Sequence, residues 1–285
     1  MLAVLLTVSC TTAVATGAEG VDWERITGPP ELELPRDHGA HPEVQTEWWY
    51  LTANLEDNEG RRYGVQVTFF RSGLDPSVPS ETDSPLRARH ALAAHLAVVD
   101  VERGRFRHAE RVRRADGGFA GFDTEDLEVW LGDWTLERRA DDTLVAAASD
   151  RASGIGVELE YRAAKPLVLQ GVDGYSRKGA DPGNASVYLS WTRMEVSGTL
   201  SLDGEGVDVT GSGWFDHEWG TSQLGEGVAG WDWFSLRLDD GTELMVYRLR
   251  REDGSADPYS SGTVGAADGT TRRLSVEEVT LEPTG

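Results

Sequence analysis

Only one cysteine, Cys10, occurs in the 285 residues, so no internal disulfide and no cysteine-ligated metal cluster can form. Lysine is almost as scarce: Lys165 and Lys178 are the only two, and no block of Lys and Arg is present that would neutralise phosphates. Acidic residues outnumber basic ones 49 to 27, for a formal net charge of −22. Nucleic acid is therefore excluded as a partner. No phosphate-binding loop of Walker type and no Gly-x-Ser-x-Gly nucleophile elbow occur, which removes the most visible marks of nucleotide binding and serine hydrolysis. No cofactor is expected. Long helix-period patterns are absent as well, and this leaves strands as the material of the fold.

The stretch Met1 to Ala18 has no charged side chain and carries an apolar run from Leu2 to Val8. It is too short for the roughly 20 apolar residues that span a bilayer, and reads as an export signal occupying residues 1–18. Ala13-Val14-Ala15 supplies a cleavage candidate; Cys10, after Thr7-Val8-Ser9, supplies an alternative, a lipid-attachment site that would be the chain's one route to a membrane. Residues 19–42 contain Pro29, Pro30, Pro35, Gly39 and Pro42 and read as an extended lead-in. Beyond it, Tyr63 to Phe70, Ala91 to Val99, Leu127 to Leu136, Ile155 to Tyr161, Ser186 to Thr192 and Val207 to Trp219 are short β-branched or aromatic runs. They are separated by turns such as Asp57-Asn58-Glu59-Gly60 and Asp203-Gly204. A hairpin over Trp231 to Asp239 and Thr242 to Arg250 turns at Asp240-Gly241. The pattern predicts an all-β sandwich or antiparallel barrel.

Tryptophan gathers beside carboxylates and a histidine in Glu47-Trp48-Trp49-Tyr50, in Trp214-Phe215-Asp216-His217-Glu218-Trp219 and in Trp231-Asp232-Trp233. Side chains alternate between faces of a strand. His217 and Trp219 then share an apolar face with Phe215 and Val209, whereas Asp216 and Glu218 fall on the other face and read as solvated. A bulge at Gly211-x-Gly213 would exchange the two sets. Glu47 alternates with Trp49, Leu51, Ala53 and Leu55, and Asp232 with Phe234, Leu236 and Leu238, so each is a carboxylate placed on an apolar face. Such a carboxyl is either satisfied, by an indole N–H or an arginine, or has a raised pKa. His38, His41, Asp37 and Glu43 resemble a ligand cluster but lie in the lead-in, where no geometry is fixed. His217-Glu218 is no zinc-protease motif, because Thr221 stands where the second histidine belongs. No metal site is expected.

Several of these strings, joined by Pro35 to Pro42, Tyr63 to Arg71, Ala94-His95-Leu96 and Gly230 to Trp233, closely resemble the AttH-like, lipocalin-like family. That family includes the carotenoid 1,2-hydratases and proteins labelled predicted secreted hydrolases. The resemblance covers about residues 35 to 250 and implies two successive lipocalin-like (calycin) antiparallel barrels. The first would occupy residues 43–222. The second would begin at 223–285 and be cut short, since about sixty residues are too few for a barrel. In the family's carotenoid hydratases a His-x-Trp pair and a downstream Tyr-x-Asp pair are implicated. His217 and Trp219 match the first; no Tyr-x-Asp occurs in this sequence, and Asp232 and Tyr247 stand nearest to it. The expectation is a hydrophobic isoprenoid or lipid-like ligand held in a Trp-rich barrel, with water added to an alkene. Asp232 would be the acid, Trp219 the aromatic face that stabilises the cation, and His217 the guide for water. Glu47, Trp49, Tyr50, His95, Asp216, Trp231 and Tyr247 would line the pocket. A non-catalytic carrier and a hydrolase are the alternatives.

Overall fold

The computed structural model describes residues 22–79, 87–115, 118–221 and 224–281; residues 1–18, expected to be an export signal, lie outside them. The chain forms β1 (Thr46–Asp57), β2 (Arg62–Gly73), β3 (His90–Asp100), β4 (Arg105–Arg114), β5 (Ala120–Phe122), β6 (Glu128–Leu131), β7 (Trp134–Arg138), β8 (Leu144–Asp150), β9 (Ile155–Ala163), β10 (Val168–Leu169), β11 (Tyr175–Arg177), β12 (Ala185–Leu202) and β13 (Glu205–Thr221). These make one antiparallel sheet in the order β4-β3-β2-β1-β13-β12-β9-β8-β7-β6-β5, with β10 and β11 added alongside β12. A smaller sheet follows: β14 (Val228–Arg237), β15 (Glu243–Arg251), β16 (Ser261–Gly265) and β17 (Thr271–Leu274). Among the described residues no helix is long and apolar enough to cross a membrane.

The large sheet curls into a nearly closed barrel because one face of most of its long strands is apolar. Trp49, Leu51, Val67, Phe69, Leu92, Leu96, Leu131, Leu136, Leu159 and Phe215 meet in a single buried cluster, whose removal from water is the main driving force for the fold. The seam between β4 and the far end of the sheet is bridged by arginines. Arg111 donates to Leu131 O at 3.2 Å and pairs with Asp133 across it, while Arg107 holds Asp203 of the β12–β13 turn at 2.6 Å. Side chains, not an open channel, fill the interior, as is usual for a small barrel. The cavity beside Arg61, Tyr63, Asp100, Arg105 and Val207, about 240 Å³, is polar and remote from the tryptophans.

β1 and β13 pair without interruption from Thr46↔Gly220 to Asp57↔Val209, so no bulge exchanges the faces of β13. Gly213 is needed there for closeness: a Cβ would stand 2.8 Å from the Tyr161 ring. The irregularity falls in β12, between Trp191 and Met194. Leu127 to Leu136, expected as one strand, is broken by a turn at Gly132 (φ 69°) into β6 and β7. The strands β4 and β8 carried too little apolar alternation to be seen.

Candidate active site

The strand pair β1–β13 places a polar cluster on each of its two faces. Inside the barrel, Glu47 (1% exposed) faces Arg71 and His217, both 0% exposed. Arg71 Nε donates to Glu47 Oε2 at 2.8 Å, and the backbone N–H of His41 donates to the same oxygen at 2.9 Å. Oε1 lies 2.9 Å from both His41 Nδ1 and His217 Nε2. His41 Nε2 lies 3.3 Å from Asp37 Oδ1, and its ring stacks on Trp219 with centroids 3.8 Å apart. Burial opposes the Glu47 charge, but Arg71 and the two histidines hold its pKa well below the ordinary value. Burial likewise opposes a charged His41, yet the bonds to Asp37 and Glu47 carry it up to about 9. His217 is pushed down by burial, with Glu47 opposing. The inner cluster therefore holds two buried cations, Arg71 and His41, against two buried anions, Asp37 and Glu47, and the half-exposed Arg36 pairs with Asp37 at 2.6 Å. With Glu47 ionised, His217 Nε2 carries the proton, and its buried Nδ1 is an acceptor without a partner.

The residues 36–41 were expected to be extended and without fixed geometry. They instead form a 3-10 turn, Arg36–His38, and fold into the barrel mouth, where Asp37, His38 and His41 are buried. His41, Glu47 and His217 offer three possible ligand atoms within 4.8 Å of one another. They do not fit a divalent ion. The atoms that would bind it already hydrogen-bond one another, Arg71 stands beside them, and His41 would have to give up a proton held up to about 9.

On the outer face of the same strands, Trp214, Asp216 and Glu218 lie beneath the small sheet. Asp216 is 2% and Glu218 4% exposed, which corrects the expectation that alternation leaves them solvated. Tyr188, Trp214, Met245, Tyr247 and Leu249 form the apolar cluster that covers them, joined by Trp233. Asp216 Oδ1 accepts from Ser190 Oγ at 2.5 Å and Trp214 Nε1 at 2.9 Å, and the Tyr188 hydroxyl bonds the same carboxyl. Gln170 supports Ser190 at 2.9 Å, and Trp233 Nε1 donates to the Tyr188 hydroxyl at 3.1 Å. Among the described residues no cation pairs with Asp216, and burial raises its pKa to about 7 despite three hydrogen-bonding neighbours. Next to it Lys178 Nζ meets Glu218 Oε1 at 2.9 Å and lies 4.5 Å from the Tyr247 ring centroid. Burial works against that ammonium, but Glu218 raises its pKa.

The expected site residues divide accordingly. Glu47, Trp49, His217 and Trp219 are brought together inside the barrel. Tyr50 and Asp216 are direct partners on the outer face, where the register runs His95↔Thr68↔Tyr50↔Asp216↔Ser190. His95 is half-buried against the Phe70 ring, and Tyr247 joins the outer cluster from β15. Asp232 joins neither. Its side chain is 23% exposed and paired with Arg250 at 3.2 Å, because Trp233 points at the barrel and alternation turns Asp232 away. The trio of Asp232, Trp219 and His217 is therefore not assembled. Trp231 is 42% exposed at the margin. Tyr188, Ser190 and Lys178 went unnoticed in the sequence; the rarity of lysine was the one available signal for Lys178.

A lipocalin-like barrel with a second sheet on its wall and a buried carboxyl between them is the class that fold and site define. The AttH-like profile matches residues 25–285, and the chain belongs to the AttH-like family. A crystal structure of a protein assigned as an AttH from Nitrosomonas europaea is 33% identical, with a TM-score of 0.80 over 89% of this chain and 75% of that one. Kievitone hydratase from Nectria haematococca is 14% identical, with a TM-score of 0.63 over 90% of this chain and 71% of its own. CghA is 17% identical, with a TM-score of 0.50 over 86% and 68%. The last two likenesses concern the fold alone. No curated protein matches the chain.

Proposed function

We propose that this protein is exported, binds an apolar isoprenoid or lipid-like molecule at the junction of the barrel wall and the small sheet, and adds water to an alkene of that molecule. The observation that carries the reading is Asp216, a buried carboxyl without a cationic partner whose pKa rises to about 7. Alkene hydration needs an acid able to protonate carbon, a surface that stabilises the tertiary cation, and a water molecule to capture it. Asp216 Oδ–H would give its proton to one alkene carbon. Trp233, Tyr188 and Tyr50, whose rings surround that position, would stabilise the cation by their π faces. Water would add to the cation and return a proton to the Asp216 carboxylate, so acid and base are one group. Kievitone hydratase names a hydration activity on the same architecture, which makes water addition the first reaction to test. Incubation with an acyclic carotenoid or terpenoid should yield a product heavier by one water with the native protein and none with D216N; equal turnover by D216N would sink the assignment.

A second reading, a carrier that leaves its ligand unchanged, is favoured by the thorough hydrogen bonding of Asp216, which also suits a purely structural carboxyl. Native protein that retains a co-purified terpenoid and never converts it would support that reading. Export, carried by the apolar run Leu2 to Val8, is tested by locating the mature N-terminus.

A further inference from the structure

At the far end of the same junction three cations converge on one carboxylate. Glu243, 1% exposed, has its two oxygens taken by Lys165 Nζ at 2.6 Å and by Arg193 Nε. Lys165 is further held by Gly241 O at 2.5 Å and Ala266 O at 2.9 Å, and Arg193 by Leu238 O at 3.1 Å. Arg237 stands directly opposite Glu243 in the β14–β15 register, yet its Nη1 is buried with no acceptor among the described residues. Tyr161, 0% exposed, has a hydroxyl that also lacks a partner and lies within electrostatic reach of Arg237. Asp240 and Asp268, on exposed turns, lie within reach of Arg193 and Lys165 but are hydrogen-bonded to Thr242 and Thr270. In a chain of net charge −22, a half-buried excess of positive charge with unpartnered donors is what an incoming oxyanion would satisfy. Each buried unsatisfied donor otherwise counts against the fold.

Arg237 shares the barrel-facing side of β14 with Ser235 and Trp233, four residues away. At about 3.4 Å per residue this puts the guanidinium's strand position roughly 14 Å from that of the indole that bonds Tyr188 beside Asp216. We infer that Arg237, backed by Arg193 and Lys165, forms an anion-recognising subsite, and that the ligand is an apolar chain ending in a carboxylate or like oxyanion. This rests on the junction being the ligand site, but not on any reaction there. A guanidinium offers a planar pair of donors to a carboxylate, and Trp233, on the same side of β14, offers its indole to the apolar part of the chain.

The test uses oleate and methyl oleate as probes, with calorimetric titration into the whole protein. Oleate should bind at least about tenfold more tightly than its ester, a typical effect for a paired charge at a half-buried site. R237Q should lower the acid to the ester's affinity and leave the ester unchanged, while R237K should restore part of the difference. Melting curves of both variants establish that they fold. Equal affinity of acid and ester in the native protein, or no binding of either, overturns the subsite. D216N should keep the acid preference. If that preference holds and no alkene gains water, the hydratase reading falls and the subsite stands; hydration of acid and ester alike with equal affinity overturns only the subsite.

Discussion

The two faces of one strand pair each bury a hydrogen-bonded carboxyl, and Glu47 and Asp216 are in opposite electrical states. Inside, Glu47 meets Arg71, His41 and His217, with two cations offsetting two anions. Outside, Asp216 has hydrogen bonds but no cation, and burial holds it near neutrality. A carboxylate kept far below its usual pKa is a poor acid at any physiological pH, whereas one at about 7 exchanges protons readily. The inner cluster is thus a fixture of the fold and the outer one a candidate for chemistry, although the inner one holds the histidine and tryptophan that first suggested catalysis.

The largest expected effect is on stability. Glu47→Gln removes the charge that offsets Arg71 and His41, and should cost about 3–5 kcal/mol in denaturant unfolding; a loss below 1 kcal/mol would break the contrast. Asp216→Asn should leave the melting temperature close to native while lowering turnover about 10²–10⁴-fold, the usual range for a positioned acid. A D216N protein that unfolds as readily as E47Q would make the two clusters alike.

Titration separates the faces further. His41 has a folded pKa raised from 6.5 to about 9, so its contribution is complete below pH 6.5 and is lost as pH rises through about 9. The shift corresponds to about 3 kcal/mol. Unfolding measured from pH 6 to 9.5 should follow that decline, and His41→Asn should flatten it. Asp216, raised to about 7, withdraws its contribution earlier, between the unfolded carboxylate range and pH 7, and turnover should fall as pH rises past about 7 because the acid form is the active one. An activity that instead rises through pH 7 would count against Asp216 as the donor. The smallest effect belongs to Asp232→Asn. Its partly exposed pair with Arg250 should be worth no more than about 1 kcal/mol, and turnover should stay near native.

Most of the barrel was legible from period-two alternation, as was the inward orientation of Glu47, Trp49, His217 and Trp219, because burial inside a barrel is written along each strand. Burial of the outer face was not legible. Asp216 and Glu218 are covered by Tyr247 and Met245 from β15, and nothing local to β13 announces a sheet that docks later in the chain. Asp232 failed for a related reason. Alternation in β14 says which residues share a face but not which face meets the barrel, and the apolar set with Phe234 and Leu236 is the one turned away. The partner Arg71 has no sequence signature apart from being a cation that closes an apolar run, and Lys178 has none apart from the rarity of lysine.

The unbroken register of β1 with β13 has a consequence for descent. Alternate residues of Glu47-Trp48-Trp49-Tyr50 answer to different selective demands, the first and third to folding and the second and fourth to whatever lies under the small sheet. A substitution at Trp48 or Tyr50 therefore alters the outer face and leaves the barrel interior untouched, while one at Glu47 or Trp49 does the reverse.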